Sequence, residues 1–402
     1  MDSYLTDLRP PQRILMGPGP SEVHPRVLQA MTTPLLGHMD PDFFQVMQDV
    51  VDMLRLVFQT SNEFTLPLSG TGTAGMEAAL CNMIEPEDTV VIAINGFFGT
   101  RMVDIATRCG ARVHTVSFPW GGPIEPETLE KELRNHSNIK AVGVVHGETS
   151  TGVLTPLPEL ATLAHNYGAL LIADAVTPLG GHTIALDRWD VDVCYSATQK
   201  CLGAPPGMSP ISLGPRATEV LRSRKSPVQS LYLDLVDLET YWHGSHVYHH
   251  TTPISMVYAL REALRRLVEE GLENRFIRHG RNAAALRAGL EALGLRLFAD
   301  PNYRINPLTT VMVPKAVDEA KIRGRLLREF NIEIGGGLGD LQGHIWRIGL
   351  MGDSCTEANV FALLSALERI FPGEGYEVGT GVSMAAAQQS IVNYDPEVSS
   401  AI

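Results

Sequence analysis

Short apolar runs alternate with helix-like stretches between about residues 65 and 213, and this alternation constrains the fold more than any other feature. It predicts a mostly parallel sheet covered by helices, because each parallel strand needs a crossover before the next one. The runs are short and apolar, as is typical of strands buried on both faces. Seven strands are predicted, over residues 64–68, 89–94, 112–118, 139–145, 169–173, 191–195 and 210–213. The helices predicted between them cover residues 74–83, 100–109, 126–135 and 157–167.

The pattern changes at about residue 253. Two long amphipathic helices are predicted, over 256–270 and 273–293, and a second set of strands and helices follows them. These strands are predicted at 295–298, 309–313, 332–334 and 346–350, with helices at 318–330 and 356–370. A length of 402 residues also favours two domains. We therefore predict an α/β protein with an N-terminal arm (1–20), a large domain (21–252), a smaller C-terminal α/β domain (253–371) and a loosely held polar tail (372–402).

The composition excludes several classes of protein. The chain has 32 Lys and Arg against 45 Asp and Glu, a net charge of −13, which argues against binding to nucleic acid or to an anionic membrane. It has no apolar run of the roughly 18 residues that a membrane-spanning helix needs. Residues 1–11 do not resemble a secretory signal, so we expect a cytoplasmic protein. The five cysteines are scattered and lack a C-x-x-C pair, which predicts neither disulfides nor a thiolate zinc site.

A Gly-rich turn, Ser69-Gly70-Thr71-Gly72-Thr73-Ala74-Gly75, follows the first predicted strand and opens the first predicted helix. Its N–H groups, its hydroxyls and the positive helix end could together hold a phosphate. The turn also matches the G-x-G-x-x-G string of dinucleotide sites, which predicts a ribose-binding carboxylate at the end of the next strand. That strand ends at Asn95-Gly96, without a carboxylate. We favour a phosphate site, and a nicotinamide site or a purely structural turn stay open.

Two ionisable residues follow later strands of the same predicted sheet. Asp174 ends the run 169–173, at the edge where ligands of open α/β sheets bind, although an isolated Asp there is often a loop cap. Lys200 follows the next strand, in a polar turn that Gly203-Ala204-Pro205-Pro206-Gly207 stiffens. A lysine that loses its proton through burial attacks carbonyl groups. A phosphate cradle, an acid and a lysine are the parts that pyridoxal phosphate requires.

These residues resemble a known family, the fold-type I, class V aminotransferases, and most closely the alanine-glyoxylate and serine-pyruvate aminotransferases. The resemblance covers nearly the whole chain, and the order and spacing of its markers make it specific. The markers are Gly17-Pro18-Gly19-Pro20-Ser21, the turn 69–75, Asn95-Gly96-Phe97-Phe98-Gly99, His146-Gly147-Glu148-Thr149-Ser150-Thr151-Gly152, residues 196–207, Tyr248-His249-His250-Thr251-Thr252-Pro253 and Arg347-Ile348-Gly349-Leu350.

The resemblance implies roles at the reactive end of pyridoxal 5'-phosphate. Lys200 is expected to form the Schiff base with the cofactor, and Asp174 to pair with the pyridine nitrogen. Thr149 is expected near the phenolic oxygen of the ring. Phe98 stands where relatives often place a Trp against the ring face, and Phe can also stack there.

At the phosphate end, the resemblance implies contacts from Thr71, Gly72, Thr73 and Gln199. Thr73 stands where some relatives have His, which is a departure from the family pattern. The resemblance thus assigns the Gly-rich turn to phosphate binding, whereas the G-x-G-x-x-G motif alone left its function open.

The resemblance further implies a homodimer whose active sites lie at the interface. Tyr248 and Thr251 are expected to reach the phosphate of the neighbouring subunit's cofactor. Arg347 is expected to bind the substrate carboxylate through its planar fork, although a surface ion pair is the alternative for an isolated Arg. Gly17, in the first marker, is assigned to the substrate side.

The predicted activity is a ping-pong transamination that moves the amino group of alanine or serine to a 2-oxo acid, glyoxylate or pyruvate. Another class V donor, of the ureidoglycine, aminoethylphosphonate or kynurenine type, is the main alternative. An NAD-dependent dehydrogenase built on Gly70–Gly75 and a non-catalytic relative are more distant ones.

Two further groups of residues suggest other chemistry. His243, His246, His249 and His250 could suggest a metal site, but no carboxylate or thiolate accompanies them and Pro253 argues against helical spacing, so no metal is predicted. We expect interface or core histidines, or support of the phosphate site by His249 or His250. Cys355 follows Arg347, whereas the catalytic thiol of desulfurases in this superfamily precedes the arginine, so we do not expect that activity.

Overall fold

The structure is a computed structural model that describes residues 3–396. Residues 1–2 of the predicted arm and 397–402 of the predicted tail therefore lie outside the described part. The strands are β1 (Ile14–Leu15), β2 (Phe64–Ser69), β3 (Thr89–Ile94), β4 (Arg112–Ser117), β5 (Ile139–Val145), β6 (Gly147–Glu148), β7 (Val153–Leu154), β8 (Leu170–Asp174), β9 (Val193–Tyr195), β10 (Met208–Leu213), β11 (Leu308–Met312), β12 (Ile332–Glu333), β13 (Gly335–Gly336) and β14 (Ile345–Gly349). The α-helices are α1 (Pro25–Ala30), α2 (Pro41–Phe58), α3 (Gly72–Met83), α4 (Phe97–Arg108), α5 (Pro126–Leu133), α6 (Pro158–Asn166), α7 (Leu186–Trp189), α8 (Pro215–Arg222), α9 (Leu235–Trp242), α10 (Ile254–Glu270), α11 (Leu272–Ala292), α12 (Glu319–Phe330), α13 (Glu357–Ile370) and α14 (Val382–Val392).

The large domain contains one seven-stranded sheet in the order β2-β10-β9-β8-β5-β3-β4. This confirms the predicted α/β fold, and all seven predicted strands form with ends within two residues of the expected ones. Only β10 runs antiparallel to its neighbours, β2 and β9. The reason is local: residues 196–207 connect β9 to β10 without a helix, and so short a connection returns the chain in the opposite direction.

Helix α10 packs differently from the expectation. The sequence placed the start of the small domain at residue 253, which assigned this helix to that domain. Its apolar residues Val257, Leu260, Leu264 and Leu267 instead join the core of the large domain, together with the buried face of α2. The 3.6-residue period of α10 showed that the helix has a buried face, but it could not show which core would cover that face.

The small domain has its own core and takes one residue from the N-terminal arm. Strands β11, β14 and β13 form an antiparallel sheet, and β1 pairs in parallel with β12. Met16, next to β1, is fully buried in this core. Residues 295–298, expected as a strand, contribute only a single bridge between Leu297 and Val311.

The expectation of a loosely held tail after residue 372 is wrong for much of the described segment. Val382–Val392 form α14, whose N-terminal turn is fixed by Ser383: its N–H and its hydroxyl donate to the Glu368 carboxylate at 2.9 and 2.6 Å. Ala387 is fully buried in the small-domain core. The Ser and Ala side chains of α14 are small and let this helix approach α11 closely.

Two further findings concern the described helices and the cysteines. Within residues 3–396, no helix combines the length and the apolar character needed to cross a lipid bilayer. All five cysteines are buried free thiols. The predicted absence of disulfides therefore agrees with the structure.

The close approach of α11 and α14 generates a test of stability. A Cβ at Gly289, in α11, would overlap Leu364 and lie 3.0 Å from the Ser383 carbonyl oxygen. We expect Gly289→Ala to destabilise the protein by about 1–3 kcal/mol through overpacking, despite the better helix propensity of Ala. Unfolding in urea measures the change.

Gly324→Ala, in the middle of α12, is the matched control. Its Cβ would meet only the far end of the flexible Arg328 side chain. This variant should be stabilised by about 0.5–1 kcal/mol. A Gly289→Ala protein as stable as the control would show that Gly289 is not packed closely against α13 and α14 in solution.

Candidate active site

One pocket lies at the edge of the large sheet where β5 and β8 end, beside the start of α3 and the loop 196–207. Because β5 and β8 are parallel neighbours, their carboxyl ends meet there and direct several polar side chains to one place. The pocket is lined by Thr71, Gly72, Thr73, Met76, Phe98, Arg101, Val145, Gly147, Thr149, Asp174, Val176, Thr177, Gln199 and Lys200. It thus includes all the residues expected at the cofactor within one subunit.

Asp174 is the buried acid of the pocket. Its Oδ1 accepts a hydrogen bond from the Val176 N–H at 2.8 Å, and its Oδ2 accepts one from the Tyr195 hydroxyl at 3.0 Å. Burial raises the pKa of Asp174 to about 7, although these two hydrogen bonds oppose the change. The carboxyl group is therefore fixed in orientation but lacks enough positive charge nearby to ionise readily.

Lys200 extends from the β9–β10 loop, and its Nζ donates a hydrogen bond to the Pro18 carbonyl oxygen of the N-terminal arm. The same arm fixes the loop, because the Ser21 hydroxyl donates to the Lys200 carbonyl oxygen at 2.8 Å. Gly19 lies so close that a Cβ there would be 2.6 Å from Nζ, so this position requires glycine. Burial, with a smaller contribution from the positive charge of Arg347, lowers the pKa of Lys200 to about 8. The amine is thus more readily deprotonated than an exposed lysine.

The N-terminus of α3 forms the opposite end of the pocket. Thr71 is the N-cap residue, but its side chain makes no capping hydrogen bond. Thr73 Oγ1 accepts a hydrogen bond from Arg101 Nη1 at 3.2 Å. Across the pocket, the buried Oε1 of Gln199 has no hydrogen-bond partner within the described residues. The buried Gln199 oxygen and the uncommitted Thr71 side chain are thus available to a polar group bound at this end.

Glu148 is a buried residue whose role the sequence analysis missed. Its carboxylate accepts hydrogen bonds from the N–H of Phe98 at 3.0 Å and from the N–H and hydroxyl of Ser150 at 2.9 and 2.6 Å. The Ser150 hydroxyl also accepts from the Phe97 N–H at 2.9 Å. Burial raises the pKa of Glu148, whereas these donors stabilise its charged form. The two side chains hold the first turn of α4, which carries Phe98 into the pocket.

Arg101 is a second residue that the sequence analysis did not select. It lies one turn after Phe98 on α4, and its guanidinium carbon is 5.1 Å from the centroid of the Phe98 ring. The i, i+3 spacing from Phe98 in a helix could have indicated that both side chains share one face. No sequence feature distinguished this Arg from other surface cations.

Arg347 lies on β14 of the small domain and is buried beside Thr149. Its Nε donates to the Gly336 carbonyl oxygen at 2.6 Å and its Nη1 to the Thr149 carbonyl oxygen at 3.5 Å. Burial lowers the pKa of Arg347 to about 10, so the group stays charged at neutral pH. Gly17 packs against the same strand, because a Cβ at Gly349 would overlap the Gly17 carbonyl oxygen. An exposed surface ion pair is therefore not the environment of Arg347.

Tyr248 and Thr251 do not line this pocket. Both side chains are exposed, and 56% of the surface of Tyr248 is accessible. The nearby His250 ring hydrogen-bonds to the Ser69 hydroxyl at 2.7 Å, at the start of the Gly-rich turn. The segment therefore lies near the start of α3, and the pocket lining includes neither Tyr248 nor Thr251 of the same chain.

The histidines of this segment do not converge on a metal site in the described part of the chain. His243 and His246 contact backbone carbonyl oxygens, and His249 and His250 contact each other. Among residues 3–396, only His114, Glu132 and His136 bring three potential metal ligands together, near the edge strand β4 and outside the pocket. Two of these, Glu132 and His136, form a hydrogen-bonded pair at 2.8 Å.

Cys355 is fully buried outside the pocket, and burial raises the pKa of its thiol to about 11. A thiol in this environment is a poor nucleophile, because the thiolate is the reactive form. The structure thus gives no support to a desulfurase-like role.

Comparison with known proteins identifies the family. The model of the class-V aminotransferases matches residues 15–343. The chain belongs to this family. It is 42% identical over 399 residues to the (S)-ureidoglycine–glyoxylate transaminase of Bacillus subtilis, covering 95% of this chain and 96% of the relative. It is also 42% identical over 369 residues to the alanine–glyoxylate aminotransferase of Callithrix jacchus, covering 91% and 89%.

A solved structure agrees with the sequence comparison. The crystal structure of the ureidoglycine–glyoxylate aminotransferase from Bacillus subtilis superimposes with a TM-score of 0.94 and 43% sequence identity, covering 96% of this chain and 100% of that one. The chain is therefore a fold-type I aminotransferase, and the dehydrogenase alternative for Gly70–Gly75 is wrong.

This aminotransferase family implies pyridoxal phosphate, and the pocket residues fit that group. Asp174 offers a buried carboxyl group to a cationic ring nitrogen, which would favour its charged form. The start of α3 offers N–H groups and the Thr71 hydroxyl to a phosphate. Lys200 offers a partly deprotonated amine to an aldehyde.

The pKa of Asp174 predicts how the stability of the cofactor-free enzyme depends on pH. The folded state holds this proton up to about pH 7, whereas an ordinary Asp releases it near 3.8. The folded state therefore binds more protons between these values, and stability should fall as pH rises through this range. Asp174→Asn should remove the effect and gain at most about 4 kcal/mol over the wild type between pH 4 and 8.

Urea unfolding of the cofactor-free proteins at several pH values measures this gain. Asp104→Asn, which changes an exposed carboxylate on α4, is the control and should differ from the wild type by a small, constant amount. A gain for Asp174→Asn that does not vary with pH would contradict the raised pKa.

Proposed function

We propose that this aminotransferase uses pyridoxal phosphate to move the amino group of a small amino acid, alanine or serine, to glyoxylate or pyruvate by a ping-pong mechanism. The observation that carries the proposal is the Lys200 amine, which has a pKa of about 8 in a pocket that also holds Asp174. The positive charge of Arg347 contributes to that lowered pKa, so the amine and the proposed carboxylate-binding group belong to one site.

Bound pyridoxal phosphate supplies an electron sink for the charge that develops at the substrate Cα. Lys200 Nζ would act as the base that takes the proton from the substrate Cα and delivers it to the cofactor within the same half-reaction. In the second half the transfers would run in reverse, and Nζ would protonate Cα of the new amino acid. Asp174 would stabilise the charge of the ring nitrogen, and Phe98 would pack against the ring. These roles divide proton transfer, charge stabilisation and positioning among three side chains.

Arg347 is proposed to orient the substrate through its carboxylate. Its Nε and Nη1 are held by the carbonyl oxygens of Gly336 and Thr149, and within the described residues its Nη2 has no protein partner. Gly17 packs against Gly349 of the same strand, and the proposal assigns it to the substrate side of the site. A bidentate contact in this buried position would be strong and directional.

The relatives support glyoxylate as an acceptor, because both the bacterial and the mammalian relative are named for it. They differ in the named donor, ureidoglycine for the first and alanine for the second. The high identity to the Bacillus subtilis enzyme over 95% of this chain makes ureidoglycine the second candidate donor. Side chains around Cα, outside the shared motifs, decide between these donors.

We also propose a homodimer in which Tyr248 and Thr251 complete the partner's phosphate site. Their exposure and their position outside this subunit's pocket support the proposal. Exposed apolar side chains in the same region, Leu231, Tyr232 and Val247, are typical of a surface that another subunit covers.

A cytoplasmic location is part of the proposal. Five buried free thiols are compatible with a reducing compartment. The net charge of −13 gives no reason to expect attachment to an anionic membrane.

Absorbance spectroscopy of the purified enzyme tests the activity. We expect a visible cofactor band that decays with alanine or serine and returns with glyoxylate, because the two half-reactions are separable. Lys200→Ala should lose at least about 10³-fold in activity, since it removes both the base and the covalent attachment. A band that responds to ureidoglycine and not to alanine would assign the donor to the second candidate. A band that no amino acid changes would refute transamination.

Subunit mixing tests the shared site. Lys200→Ala and Tyr248→Phe are co-expressed with different tags, and the mixed dimer is isolated. If Tyr248 serves the partner's site, one site of the mixed dimer carries both changes and the other carries none, so about half of the wild-type activity should return. If Tyr248 serves its own subunit, each site keeps one defect and the activity does not exceed that expected for one Tyr248→Phe site.

A further inference from the structure

Arg101 occupies a position in the pocket that the proposed function does not yet use. It projects from α4 toward the N-terminus of α3, where its Nη1 donates to Thr73 Oγ1 at 3.2 Å. Its guanidinium carbon lies 5.3 and 5.1 Å from the ring centroids of Phe97 and Phe98. It therefore stands beside the expected phosphate end of the pocket and next to the expected ring-stacking residue.

The guanidinium of Arg101 lacks an acidic partner in the described part of the chain. No carboxylate oxygen of residues 3–396 forms an ion pair with it, whereas Arg108, two turns later on the same helix, pairs with Asp104 at 3.1 Å. Contacts with Thr73 and with two aromatic faces are weak compensation for a full positive charge. The charge of Arg101 is thus available to an anionic ligand.

The charges of the residues that line the pocket indicate which anionic group Arg101 would bind. Of the lining residues, only Lys200 and Arg101 are cationic, and only Asp174 is anionic. Lys200 is committed to the aldehyde end by the proposed function. The polar groups at the start of α3, from Thr71 to Thr73, are neutral donors. A phosphate carries close to two negative charges, and neutral donors with a helix dipole of about half a charge leave most of that charge uncompensated.

We propose that Arg101 is a binding residue for the phosphate of pyridoxal phosphate, with Thr73 holding its guanidinium at the N-terminus of α3. The inference rests on the proposed function for the presence of this cofactor. It adds a charged contact within the subunit to the neutral donors at Thr71, Gly72 and Gln199.

Two features of the fold prepare Arg101 for this role. Glu148 and Ser150 fix the first turn of α4 through the N–H groups of Phe98 and Phe97, which sets the position of the Arg101 backbone one turn later. The two aromatic rings then restrict the guanidinium plane. Because the side chain is already ordered, less conformational entropy is lost when the phosphate binds.

The experiment compares two ligands that differ only in the phosphate. Cofactor-free enzyme is titrated with pyridoxal phosphate and, separately, with pyridoxal, and binding is followed by absorbance. The variants are Arg101→Gln, Arg101→Lys and the control Arg108→Gln. Arg108 lies on the same helix, is exposed and pairs with Asp104, so its replacement removes one charge without touching the pocket.

We expect Arg101→Gln to weaken the affinity for pyridoxal phosphate by roughly 10- to 100-fold, as for loss of a hydrogen bond between charged groups. Its affinity for pyridoxal should stay within about twofold of the wild type. Arg101→Lys should recover part of the lost affinity, since a lysine keeps the charge without the planar fork. Arg108→Gln should leave both affinities unchanged.

Three outcomes would overturn the inference. An equal loss for both ligands would show that Arg101 acts on the fold of the pocket, and thermal unfolding of the cofactor-free variants would reveal the same defect. Unchanged affinity for pyridoxal phosphate with a raised KM for one substrate would assign Arg101 to the substrate. Unchanged affinity and unchanged KM would show that Arg101 binds neither the phosphate nor a substrate. Failure of the proposed function is a separate result, because the wild type would then bind neither ligand at Lys200.

Discussion

Dehydration of ionisable groups is the physical constraint on which this active site depends. Burial is the main influence on Asp174, Lys200 and Arg347, and it shifts the pKa of each toward the neutral form. Removal from water has a high energetic cost unless a partner of opposite charge is present. The seven-stranded sheet keeps these groups buried, because the carboxyl ends of its strands hold Asp174 and the loop that carries Lys200 side by side. A cofactor with a cationic ring and an anionic phosphate would relieve part of the cost.

The N-terminal arm connects the two halves of the site. Met16 is buried in the small-domain core, and its carbonyl oxygen accepts a hydrogen bond from Gly349 at 2.7 Å. A few residues later, Pro18 accepts from Lys200 Nζ and Ser21 binds the Lys200 backbone. A short segment thus links the strand that carries Arg347 to the loop that carries the lysine. Any relative movement of the two domains would be transmitted to the reactive amine through this arm.

Much of this site could be predicted from the sequence, because strand ends and Gly-rich turns are local features. Asp174 and Lys200 follow predicted strands, so the topology of a parallel sheet placed them at one edge. Arg101 and Glu148 could not be found in that way. Arg101 becomes distinctive only when its place in the pocket without an acidic partner is visible, and Glu148 only when its hydrogen bonds to the first turn of α4 are visible. Both properties depend on residues distant in the chain.

The sequence by itself determined the seven strands of the large sheet and the residues at their ends, because period and turn chemistry are encoded within short windows. Only the tertiary structure decided which core covers α10, that residues 382–392 pack as a helix on α11, and that Arg101 faces Thr73. These outcomes depend on the shapes and charges of surfaces that meet after the chain has folded. An amphipathic pattern predicts that one face of a helix will be buried, but tertiary packing determines which surface covers that face.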